Sequence, residues 1–319
     1  METAARPAAW KILSAFAIIY FVWGSTFLAI RVGVSEVPPF LLAAIRFFVA
    51  GVALYLWMRM KGTQSPSRRE WTGATLLGTL IFLVDYGCLF WAEQRVPSGI
   101  AAVVLATIPV FITLLEIIFL CTQKLTVRLG LALLMGLAGV AVLMGHSLSF
   151  GEVPINRAGT LALLVAAFTW SIATILTRRL TLPASKPMSA AAQMLTGGVQ
   201  LFILAGVSGE FAGFHPQAVS AKAWLALFYL IVAGSIVGFT AYVWLLHHES
   251  PTKVGTYAYV NPVVAVALGY FVGGEAVGPR TLVGALFVLV SVITITTTPK
   301  PESKQASKAF AELSSADAE

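Results

Sequence analysis

Ser250 to Glu275 reads SPTKVGTYAYVNPVVAVALGYFVGGE, and an earlier stretch, Val96 to Phe111, reads VPSGIAAVVLATIPVF. Each has a proline at its second position (Pro251, Pro97), another about three helical turns later (Pro262, Pro109), and a run of large apolar residues beyond it. The first prolines are 154 residues apart and the second 153, so one module is written twice. A proline inside a helix removes an amide donor and frees the carbonyl one turn back, here near Leu105 and Ala258. In hydrocarbon such a carbonyl needs a partner or a cavity, so matched interruptions point to helices that face protein or a pathway. A tolerated kink is the plainer reading of either proline alone.

The repetition runs through the chain. An offset of 147 residues carries Trp23 onto Trp170, Arg31 onto Arg178, Arg46 onto Gln193 and Gly51 onto Gly198. Four agreements at one offset mark an internal repeat. Hydrophobic residues make up 58% of the chain and charged ones 11%, and the mean hydropathy is +0.86, which excludes an ordinary soluble domain. The apolar runs are 12–30, 40–58, 71–92, 99–120, 129–144, 158–177, 188–207, 223–246, 254–272 and 281–295. Most approach the roughly 20 residues that cross about 30 Å of hydrocarbon. The expectation is an all-α membrane protein with ten transmembrane helices, divided into a leader (1–11), two five-helix repeats (12–145 and 158–297) and a disordered tail (298–319). Five is odd, so the second copy enters the membrane from the opposite side. Two inverted repeats are a recurrent architecture of secondary transporters.

Fifteen of the 21 Lys and Arg residues fall in the N-terminus, the even-numbered loops and the tail. Five (Arg31, Arg95, Arg157, Lys222, Arg280) fall on the other side, and Arg46 lies within a helix. That bias places both termini in the cytoplasm and reads the net charge of +7 as topology. No basic stripe with interleaved aromatics suggests nucleic acid. Cys88 and Cys121 fall toward opposite ends of their helices, and no Cys/His spacing suggests a metal. The phosphate loop, HExxH and GxSxG are all missing, so no cofactor and no catalytic residue is expected.

Polar residues inside apolar helices are costly and therefore informative. Arg46 lies about 12 Å and Asp85 about 10 Å from the outer ends of their helices, so the two could pair. Such a pair would either lock helices 2 and 3 or serve gating or proton coupling. Glu116 ends a stripe of small and polar residues (Ala102, Ala106, Pro109, Thr113), which faces it toward protein; its position near the helix end also allows it to snorkel. Pro109 and Pro262 join Arg46, Asp85 and Glu116 as gating or coupling candidates. The candidate substrate cavity comprises Trp23, Ser25, Tyr86, Trp170, Tyr242, Tyr257 and Asn261, with Tyr257 and Asn261 one turn apart on one face of helix 9. For Trp91, Trp244 and Tyr242 an interfacial aromatic belt is the competing reading.

The strings WGSTF in helix 1, PPFLLAAIRF entering helix 2, VPSGIAAVVLATIPVF, GLALLMGLAGV and TYAYVNPVVAVALGYFVGGE together resemble the EamA family of the drug/metabolite transporter superfamily, in its bacterial YedA-like branch. The resemblance covers about residues 12 to 297. It implies an inner-membrane carrier that exports small metabolites through a central cavity between the halves. Members often carry Gly-Glu at the end of the fourth helix of each repeat; here the second copy keeps Gly274-Glu275 and the first has Thr122-Gln123. The expected partners are a small-molecule substrate, the lipid bilayer and protons as a candidate coupling ion. The leading function is export of neutral or zwitterionic metabolites. A membrane-embedded enzyme or lipid-handling scaffold is the alternative.

Overall fold

Helix starts in this chain are set by short polar residues placed before apolar runs. In the computed structural model, which describes residues 7–96, 104–143, 156–273 and 279–298, Ser67, Asn156, Ser185, Ser220 and Ser250 each accept a backbone N–H with the side chain at a helix N-terminus. Ser67 and Glu70 form a reciprocal capping box, and prolines 39, 187 and 251 sit in first turns, where no amide donor is needed.

The described helices are α1 (Ala9–Val34), α2 (Pro39–Met60), α3 (Arg68–Glu93), α4 (Ile108–Leu120), α5 (Val127–Leu143), α6 (Arg157–Leu176), α7 (Lys186–Val207), α8 (Ala221–His248), α9 (Tyr257–Gly273) and α10 (Pro279–Thr296). One helical turn, Pro251–Val254, precedes α9. Among the described residues there is no strand, and α1, α2, α3, α6, α7 and α8 are long and apolar enough to cross a membrane. Large apolar side chains such as Phe21, Leu131, Ile203, Phe228 and Ile293 are exposed while Arg46, Asp85 and Glu116 are buried, the inverse of a water-soluble surface.

The packing is reciprocal between copies. Helix α2 lies on α7 and α5 on α10; α1 packs on α8 and α9, and α6 packs on α3 and α4. Glycines permit the closest approaches. A methyl at Gly51 would lie 2.7 Å from the Leu195 nitrogen, and one at Gly198 would lie 2.6 Å from the Phe48 nitrogen. Both residue pairs, 51/198 and 48/195, are related by the 147-residue repeat, so α2 and α7 cross through equivalent surfaces, as in an isologous contact.

Several expectations shift. Helix α1 starts at Ala9, inside the expected leader. Pro109 is not a mid-helix interruption: the chain turns at Ala106 and Thr107, and α4 begins at Ile108 with Pro109 in its first turn. Pro262 does lie inside α9, but the break in that segment is at Gly255 and Thr256, one to two turns earlier. Pro97, the Gly274-Glu275 pair and the tail beyond residue 298 lie outside the described residues.

Three helices also widen to π geometry, over Thr79–Tyr86 in α3, Leu230–Phe239 in α8 and Glu116–Leu120 at the end of α4. The first two are equivalent positions of the repeat, since Tyr86 and Phe239 are 153 residues apart. Such widenings leave backbone groups and side chains re-aimed, and they cluster at functional sites.

Candidate functional site

Four aromatic rings meet where the two copies cross. Trp23 (α1), Trp170 (α6), Tyr242 (α8) and Tyr257 (α9) are all in mutual contact, with centroids from 4.8 Å (Trp23–Tyr257) to 6.2 Å (Tyr242–Tyr257). All four are nearly buried. Trp23 and Trp170 are repeat equivalents, and they touch edge to face at 5.6 Å and 83°. A residue touches its own repeat mate only near the axis relating the copies, so this cluster marks that axis. Tyr86 (α3) extends it, 6.2 Å from Trp170 and 4.7 Å from Phe47.

Two of the polar tips are anchored, those of Trp23 and Tyr242, while Trp170 Nε1 is buried with no hydrogen-bond partner among the described residues. Trp23 Nε1 donates to the Gly234 carbonyl at 3.0 Å, within the π segment of α8. A methyl at Gly238 would come within 2.6 Å of that same Nε1, so the indole needs glycine there. The Tyr242 hydroxyl lies 2.5 Å from Thr174 Oγ1, on α6. Asn261, one turn beyond Tyr257, is buried and its Oδ1 has no hydrogen-bond partner among the described residues. Ser25 is not brought into the cluster: two residues from Trp23 on a helix, it faces another way and bonds Val22 O at 2.7 Å and the Tyr229 hydroxyl at 2.5 Å. Tyr242 is at the centre and so is not part of an interfacial belt, whereas Trp244 lines a groove nearer the helix end.

Arg46 and Asp85 do not pair. The Arg46 side chain is fully enclosed, and its Nε donates to Ser235 Oγ at 2.9 Å in the π segment of α8, while Ser235 Oγ in turn donates to Leu230 O at 3.0 Å. The guanidinium lies over the rings of Phe47, at 4.7 Å, and Tyr86, at 5.5 Å. Its Nη1 has no hydrogen-bond partner among the described residues, and a methyl at Gly234 would come within 2.9 Å of Nη2. Equal depth fixed the height of the two charges but not their azimuth, and the arginine turns toward α8. Asp85, in the π segment of α3, is 4% exposed and has no hydrogen bond or ion pair to any described residue. Its neighbour in sequence, Tyr86, lies 6.2 Å from Trp170, so Asp85 adjoins a residue that extends the aromatic cluster.

Glu116 does not snorkel. It is completely buried, and its Oε2 accepts from Thr252 N at 2.9 Å and Thr252 Oγ1 at 2.7 Å, while Oε1 accepts from Thr122 Oγ1 at 2.9 Å. Thr113 Oγ1 donates to Thr252 Oγ1 at 3.1 Å. The carboxylate thus caps the turn Pro251–Val254 and joins the fourth helix of one copy to the matching segment of the other. Arg178 donates to the carbonyls of Leu246 and Glu249, and Arg179 to that of Phe119, at the same end. At the opposite end Glu36 accepts from Ser220 N and Oγ at 2.6 and 2.7 Å, and Glu210 accepts from Leu41 N at 2.8 Å and Phe40 N at 3.3 Å. Loop carboxylates of each copy therefore cap helix starts of the other.

Sequence reasoning did not single out Ser235, Thr174, Thr252, Gly234 or Gly238. Ser235 and the two glycines sit in the apolar run LIVAGSIVGF, where polar or small residues are the available clue. The π widening itself leaves no reading in the sequence.

A tandem helical repeat, an apolar exterior and a polar-edged aromatic centre define a multi-pass membrane protein of the transporter class. The model of the EamA-like transporter family matches residues 10–145 and again 157–297, and the chain belongs to that family. It is 37% identical over 287 residues to the inner membrane transporter YedA of Escherichia coli K12, covering 89% of this chain and 90% of YedA. It is 25% identical to the transporter YoaV of Bacillus subtilis (88% of this chain, 95% of YoaV) and 26% identical to protein PecM of Dickeya dadantii (86% and 88%). A protein of known crystal structure shares the fold with a TM-score of 0.74 at 22% identity, covering 91% of this chain and 99% of its own.

Proposed function

We propose that this chain is an inner-membrane carrier, secondary-active or facilitative, that exports small neutral or zwitterionic metabolites such as amino acids or drug-like solutes by alternating access. In this reading ten helices cross the membrane in two inverted repeats, 12–145 and 158–297, with both termini cytoplasmic. The observation that carries it is the aromatic cluster on the repeat axis, to which both copies contribute, with buried Asp85, next in sequence to Tyr86, free of any hydrogen bond or ion pair to the described residues. Aromatic faces and a few polar tips suit a small solute with apolar bulk, and a carboxyl at that depth suits an amino group or a proton. Inter-copy bonds at both ends, Glu116 to Thr252 and Glu36 to Ser220, are contacts that alternate opening would break in turn.

The test is uptake and efflux of a labelled solute panel in proteoliposomes, with and without a pH gradient. For a transported solute, Tyr257→Phe and Asn261→Ala each remove a polar contact worth about 1 kcal/mol, and each should raise the apparent KM about fivefold with the protein still abundant. Wild-type kinetics in both variants would remove α9 from the site. No movement of any amine, amino acid or drug-like solute would overturn export.

A further inference from the structure

Away from the aromatic cluster, a lateral groove of about 460 Å³ opens between the start of α1, the end of α2, the start of α7 and the later part of α8. Its floor is apolar, formed by Ile18, Leu54, Ile236, Val237 and Ala241. Lys11 and Lys186 border it, and among the described residues no Asp or Glu lines it. Trp10, Trp57 and Trp244 also line it, amphipathic rings of the kind that settle at the headgroup level of a bilayer. Thr240 borders it as well, and its Oγ1 is buried without a hydrogen-bond partner among the described residues.

We infer that this groove holds one anionic phospholipid, with the phosphate between Lys11 and Lys186 and an acyl chain on the apolar floor. Charge decides the occupant. Two ammonium groups, with no carboxylate among the described lining residues, favour a negative headgroup, and basic pockets between membrane helices bind such lipids. Depth agrees: Lys11 to Ile18 spans about 10 Å of helix, so the groove stays within one leaflet of a core about 30 Å thick. The Thr240 hydroxyl would then donate to an ester oxygen of the bound lipid. A neutral solute on its way to the centre would need the apolar floor but not the lysines.

The test uses the full chain in mild detergent, equilibrated with equimolar phosphatidylglycerol and phosphatidylethanolamine of matched acyl chains, with retained lipid read by native mass spectrometry. The wild type should keep one phosphatidylglycerol in clear preference. Lys11→Gln and Lys186→Gln should each cut that preference about fivefold, and Lys124→Gln, an exposed lysine outside the groove, should leave it intact. Ala241→Phe fills the floor and should release the lipid with both lysines present. Equal retention of the two lipids by the wild type, or an unchanged preference in the double lysine variant, would overturn the site. So would full phosphatidylglycerol retention in a monodisperse Ala241→Phe protein, because charge alone would then hold the lipid on the surface.

Discussion

Thr252→Val tests the bond that joins the two copies at the Glu116 end. It removes a hydroxyl that donates to Glu116 Oε2 at 2.7 Å and leaves the backbone donor at 2.9 Å in place. A hydrogen bond to a charged group contributes about 1.5–3 kcal/mol, and valine nearly conserves shape, so the loss should fall in that range. Thr113 loses one acceptor but keeps its bond to Pro109 O at 2.7 Å, which limits the added cost. Glu116→Gln keeps an oxygen that can face Thr252 N, so its cost should be smaller, about 1–2 kcal/mol, as a charge-assisted bond becomes a neutral one. In the double variant the losses should not add, with a coupling of about 1 kcal/mol or more. The assay is reversible unfolding in mixed detergent micelles followed by tryptophan fluorescence. Additivity within about 0.5 kcal/mol would refute the contact as an energetic link.

The arginine offers a second cycle: Arg46→Lys should couple to Ser235→Ala, whose hydroxyl it contacts at 2.9 Å, and be additive with Asp85→Asn within about 0.5 kcal/mol in the same unfolding assay. Coupling to Asp85 instead would restore the ion pair. At the opposite end, the Ser220 N–H and hydroxyl hold the Glu36 carboxyl below its ordinary value. A depressed folded value means its stabilisation is present above the ordinary glutamate range and fades as pH falls through the folded value. Melting temperatures measured down to pH 3 should therefore fall less steeply in Glu36→Gln than in the wild type, and parallel curves would count against the cap.

Ten apolar runs and the 147-residue repeat were legible in the sequence, because hydrocarbon imposes length and composition on each helix separately and duplication leaves a one-dimensional trace. The tryptophans later found on the axis, Trp23 and Trp170, were legible for the same reason. What Arg46, Asp85 and Glu116 touch was not. Helix rise gives the depth of a side chain, but its partner depends on which way the helix is turned and which helix lies beside it. Arg46 found Ser235 and Glu116 found Thr252, 189 and 136 residues away, because the packing of one copy on the other sets those neighbours. The π segments in α3 and α8 belong to the same class. They carry buried Asp85 in α3 and, in α8, Ser235, which accepts from the arginine, and only contacts among assembled helices can stabilise a widened turn against the ordinary α-helical one.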